Sequence, residues 1–171
     1  MMNARTVLLI LCFMALFSTY CFGNSVDKLS TGLCAKDATI GCLRDNFDNL
    51  YRDDYSLFWE ILRNAANKAA QCEYLEDTTA FLTLVKLEKG NAEVNEFFSR
   101  AIEQLCIEKT KCFFNALLGL DSPTRVLIFH KLRTPLFVDE SEIDRVFLEA
   151  RSNEKYNKLS DSYFVEKKLG K

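Results

Sequence analysis

The chain has 171 residues, 22 basic against 24 acidic, with a formal net charge of −2 and a mean hydropathy of −0.06. That length fits one domain, and 14 Phe are ample for a core, whereas 6 Gly and 2 Pro argue against a turn-rich β fold. The near-neutral charge gives no general electrostatic reason to bind nucleic acid or an anionic membrane.

The first 23 residues read as a secretory signal peptide. Arg5 provides a thin positive region, and Val7 to Phe17 form a short apolar run. Cys21-Phe22-Gly23 places small residues where a signal peptidase needs them, and polar Asn24 follows. The run is too short for a comfortable membrane span, so no stable span is expected after cleavage. Bulky Tyr20 fits poorly before a lipidated Cys21. The expected location is therefore periplasmic or secreted, with residues 24–150 as a helical domain and 151–171 as a charged tail. The absence of any Asn-X-Ser/Thr site suits a bacterial periplasm.

Residues 24–33 are polar and read as a loose lead-in. A first helix is expected from Asp37 to Tyr51, with Ile40, Leu43, Phe47 and Leu50 on one face. Arg52-Asp53-Asp54 is the turn, and Asp54 can cap the second helix. That helix carries Leu57, Phe58, Ile61, Leu62, Ala65 and Ala69 inward, with Trp59 on the edge of the face. Small Ala65, Ala66, Ala69 and Ala70 would let another helix approach closely.

Residues 77–132 carry the clearest signals. Val94, Phe97, Phe98, Ala101, Ile102 and Leu105 recur at i, i+3, i+4, i+7, i+8 and i+11, which puts them on one helical face. Gly90 can end the preceding helix in a left-handed conformation, and Asn91 can cap the next. Ser122 as N-cap with Pro123 at the first helical position starts another helix. Pro135 ends it, because the residue before a proline avoids the helical region. Asp139, with Glu142 three residues on, starts a helix burying Ile143, Val146 and Phe147. Beyond Arg151 a frayed tail is expected, in which Tyr163, Phe164 and Val165 could dock a last turn. No stretch sustains a strand alternation. The fold class is all-α, with about seven helices in antiparallel hairpins, as a compact bundle or a short α-solenoid.

Five cysteines follow the leader: Cys34, Cys42, Cys72, Cys106 and Cys112. An oxidising compartment allows bridges, and an odd number leaves one thiol over. Sequence alone does not choose the pairing. If Asp53 is the corner of a first hairpin, Cys34 and Cys72 are equidistant from it and fall level on antiparallel helices. Cys42 would then be offset along the helix by about 12 Å, beyond disulfide reach. Cys106 and Cys112 flank the next turn and could clip it. The expectation is thus Cys34–Cys72 and Cys106–Cys112. Cys42 stays free, on a polar face with Asn46, Asn49 and Asp53. A zinc site is disfavoured by the absence of a paired CxxC and by a single His.

His130 sits on an apolar helix, where a hydrogen-bonded position at the core boundary is expected rather than catalysis. HExxH, GxSxG, P-loop and dinucleotide fingerprints are missing. Asp45, Asp48 and Asp53 could serve a glycosidase, but they fit solvated helix faces. No catalytic, cofactor-binding or metal-binding residue is assigned.

The two hairpins of residues 77–132 match at an offset of about 32 residues, the length class of helical repeats. Phe81 falls over Phe113, Val85 over Leu117, Val94 over Val126 and Phe97 over Phe129. This spacing resembles short HEAT-type repeats. In size, signal peptide and helix content the chain is also similar to small helical periplasmic immunity proteins that neutralise secreted cell-wall amidases. Those resemblances imply a non-catalytic module that binds another protein, as an immunity or inhibitor protein; separately, a second copy of the chain, in a homodimer, could cover the polar face that carries Cys42. An extracellular carrier of an apolar ligand and a small hydrolase are the alternatives.

Overall fold

In a computed structural model, the described residues are Cys34 and 38–169, with side chains through Val165. The signal-peptide reading and the lead-in lie outside them. Every regular element among the described residues is helical. They are α1 (Ile40–Asp45), α2 (Phe47–Asp53), α3 (Tyr55–Gln71), α4 (Leu75–Thr83) with a 3-10 turn at Leu84–Leu87, and α5 (Ala92–Glu108). There follow α6 (Thr110–Gly119), α7 (Ser122–Arg133), α8 (Glu140–Arg151) and α9 (Asn157–Leu169).

Two departures account for the larger helix count. The expected first helix is broken at Asn46, whose φ of −127° and ψ of 23° are not helical. The Asn46 side chain donates to the Cys42 carbonyl at 3.1 Å, an alternative bond that competes with helix continuation. The second departure is the tail. Residues from Asn157 form α9, and Tyr156, Leu159, Ser160 and Tyr163 are buried rather than frayed. The Tyr163 ring stacks on Phe147 at 4.0 Å, and its hydroxyl donates to Asp144 at 2.9 Å. Burial, with Asp144 beside it, pushes the Tyr163 phenol well above its ordinary value.

Side-chain caps mark the starts of α1, α3, α5 and α7. Asp54 accepts from the Leu57 amide, and Asn91 accepts from the amides of Glu93 and Val94. Gly90 has φ of 78°, which suits a residue without Cβ. For α7 the cap is Asp121, not Ser122: its carboxylate accepts from the Thr124 amide at 2.9 Å, and Ser122 already lies inside the helix. A carboxylate is the stronger acceptor for these free amides, and the dipole favours its charge. Asp139 stands at the N-cap of α8 but makes no side-chain capping bond.

The core is aromatic. Phe58, Phe81, Phe98, Phe113, Phe114, Phe129, Phe147 and Tyr163 are all fully buried. Edge-to-face contacts link many of these rings, for example Phe129 with Phe147 at 5.7 Å. Of the repeat-matched positions, Phe81, Phe113, Val85 and Leu117 are buried, whereas Val94 is buried and Val126 is exposed.

The cysteine pairing corrects the expectation. Cys42 is not free: it is bridged to Cys34, with Cα atoms 5.9 Å apart. Cys72 is bridged to Cys112 across 6.1 Å, joining the end of α3 to the first turn of α6. Cys72 caps α3 in the left-handed conformation, with φ of 56°. Among the described residues the free thiol is Cys106, which is buried on α5 with no exposure, while Cys112 is only partly buried. The expected clip across the α5–α6 turn is absent because Cys106 is buried in the core and Cys112 is taken by Cys72. Burial raises the Cys106 thiol well above its ordinary range.

A groove between α3 and α5

Four α3 residues spaced at i, i+3, i+4 and i+7 line one wall of an open groove: Arg63, Ala66, Asn67 and Ala70. They flank the face that buries Phe58, Ile61, Leu62 and Ala65. The other wall comes from α5, chiefly Phe97, Arg100, Ala101 and Gln104. Alanines at 66, 70 and 101 keep both walls low, and the cavity measures about 180 Å³. The α5 stripe expected to be wholly core is therefore split. Val94, Phe98, Ile102 and Leu105 are buried, while Phe97 and Ala101 are only partly covered and border the groove.

The groove continues past Trp59, which the periodicity placed at the edge of a face and which is 5 % exposed. Phe97 meets the indole edge-on at 5.3 Å, and the Arg63 guanidinium lies 5.6 Å from the same ring. Arg63 has no carboxylate partner among the described residues. Arg100 lies over the Phe137 ring at 4.0 Å and reaches Glu96 only at 4.0 Å. Both guanidiniums thus rest on aromatic faces, where they keep hydrogen-bond donors in hand. Beyond Trp59, the hydroxyls of Tyr51 and Tyr55 both donate to Glu93, at 3.1 and 2.5 Å. The Glu93 bond raises the Tyr55 phenol.

Phe137 is held in place from below. Glu103, on α5, is fully buried and accepts from the amides of Leu136 and Phe137 at 2.9 and 2.8 Å. One carboxylate thus ties the loop between α7 and α8 to α5. Leu136 and Phe137 remain exposed beside Arg100.

The other residues singled out from sequence lie elsewhere. His130 is exposed on α7 rather than at a core boundary, and its ring makes no hydrogen bond among the described residues. The buried side of α7 is taken by Thr124, Ile128, Phe129 and Leu132, which turns position 130 outward. Asp45, Asp48 and Asp53 are on solvated faces, paired with Arg44, Lys89 and Arg52. The bond from Arg52 lowers the Asp53 carboxyl. No group of His, Cys, Asp and Glu among the described residues could hold a metal ion. No described helix is long and apolar enough to cross a membrane.

Arg63 and Arg100 were missed by motif reasoning, since an arginine on an amphipathic helix looks like an ordinary solvated residue. The legible signal was the run of small residues at 65, 66, 69 and 70, which marked α3 as a surface of close approach. Comparison of the chain with protein-family models, curated proteins and solved structures finds no match.

Proposed function

We propose that this is an exported, non-catalytic protein-binding module whose α3–α5 groove receives a segment of another protein, with an immunity or inhibitor role as the specific case. The observation that carries the reading is the pairing of an alanine-lined groove with Arg63 and Arg100, of which Arg63 has no carboxylate partner among the described residues. Arginines beside aromatic rings are typical anchors of protein interfaces. The chemistry calls for a partner segment with small apolar side chains to enter the groove and carboxylates to meet the two guanidiniums. Bridges at Cys34–Cys42 and Cys72–Cys112 favour an oxidising compartment and a rigid binding surface. The groove's volume of about 180 Å³ is below the range of about 300–1,000 Å³ usual for small-ligand sites, which speaks for a protein segment over a carried apolar molecule.

Photo-crosslinking tests this. A photoreactive residue at Asn67 should capture one protein from the extract of the producing cell. The same residue at exposed Lys158 should not. Ala66→Trp, which fills the groove, should abolish capture with the helical spectrum unchanged. Equal capture from both positions, or capture that survives Ala66→Trp, would contradict the reading.

A further inference from the structure

A second cleft, of about 460 Å³, opens on the other side of α5. Asn95 and Ser99 line it, whereas the groove is lined by Phe97 and Ala101, about 200° away around the same helix. The remaining walls are the 3-10 turn and the loop up to Gly90, with α7 opposite.

The hydrogen-bonding groups in this cleft are unevenly matched. Lys131 is 9 % exposed, and its ammonium is held by Glu88 at 2.5 Å and by the Asn95 side-chain oxygen. An ammonium has three N–H donors, so one is left for the cleft. The Asn95 amide nitrogen makes no hydrogen bond among the described residues. Ser99 forms part of the cleft wall, and its hydroxyl makes no hydrogen bond among the described residues. At the mouth stand Lys86 and Lys89, tied to Asp121 and Asp48 in exposed pairs, and His130. Exposed pairs of this kind are worth little and exchange readily. Among the described residues lining the cleft, Glu88 alone carries a carboxylate, and it is already committed to Lys131.

We propose that this cleft binds a small oxyanion-bearing ligand, a carboxylate or a phosphate, between Ser99, Asn95 and Lys131. Unused donors converge from two helices, and an oxyanion supplies the lone pairs they lack. Lys86 and Lys89 then face its outer oxygens, while Val85, Leu127 and Leu136 leave room for a short apolar portion.

The test is an amide-resolved NMR titration of the folded protein, both bridges intact, at an ionic strength held at about 0.15 M by exchanging chloride for the added anion, so that simple screening stays constant. Inorganic phosphate and succinate are added in separate arms. At least one should give saturable shifts centred on Ser99 and Lys131; the arm that saturates at the lower concentration assigns the class. Ser99→Ala should weaken binding by about tenfold, the usual effect of losing one hydrogen bond to a charged group. Lys131→Gln should abolish it, and Lys111→Gln, on α6, should leave it unchanged. Absence of saturable shifts in both arms would overturn the proposal. So would wild-type affinity in Ser99→Ala, a substitution small enough to keep the fold.

Discussion

Glu103 is the residue whose energetics are easiest to isolate. A fully buried carboxylate is costly, and here two backbone amides compensate it. Glu103→Ala should leave both amides unpaired and cost roughly 2–3 kcal/mol in chemical denaturation. The same substitution should free the loop that carries Leu136 and Phe137, seen as faster amide exchange there. Phe97 and Phe98 offer a second contrast. The apolar spacing treats them alike, yet Phe98 is fully buried and Phe97 only partly. Phe98→Ala should cost about 3–5 kcal/mol, and Phe97→Ala distinctly less. Equal losses would mean that the groove wall is core. Asp121 gives a pH dependence. Lys86 first, then Thr124, holds its carboxyl well below the usual aspartate range. A depressed folded pKa stabilises above the unfolded value and is lost as pH falls below it. Asp121→Asn should therefore lower the melting temperature at neutral pH and make little difference in strong acid.

At the scale of elements, the periodicity located α3, α5 and α8 well, because each has one strong apolar stripe and a recognisable start. It missed the break at Asn46, since the apolar residues 43, 47 and 50 stay in phase across it and only a local side-chain bond interrupts the helix. It also missed α9. That helix has a weak apolar stripe and holds its place through a few buried residues: Tyr163 meets Phe129 on α7 and Phe147 on α8, while Tyr156, just before the helix, packs on Phe114 of α6. Docking of this sort is a tertiary effect that local hydrophobicity does not carry. Truncation after Ser152 should expose Phe147 and Phe114 and sharply reduce stability, whereas a frayed tail could be removed without effect. The groove was half legible: the alanines announced a low surface, but nothing in the sequence placed Phe97 and Arg100 opposite them.

For the whole molecule, the two bridges bear on rigidity. The Cys72–Cys112 bridge spans a sequence separation of 40 and should stabilise by roughly 4 kcal/mol in the chain-entropy model. Non-reducing peptide mapping should recover Cys34–Cys42 and Cys72–Cys112, and Cys106 should accept a thiol reagent only after unfolding. The pairing was not readable beforehand because it depends on tertiary packing, which buries Cys106 in the core and brings Cys112 beside Cys72. Closed bridges and an aromatic core make the α3–α5 surface a stiff one, so its binding should depend on complementarity rather than on ordering. The most direct measurement is the dissociation constant of the crosslinked protein for the native chain and for Arg63→Glu. The groove reading predicts a loss of at least about a hundredfold on this charge reversal, and weaker native binding at high salt. An unchanged dissociation constant, with the fold intact, would contradict it.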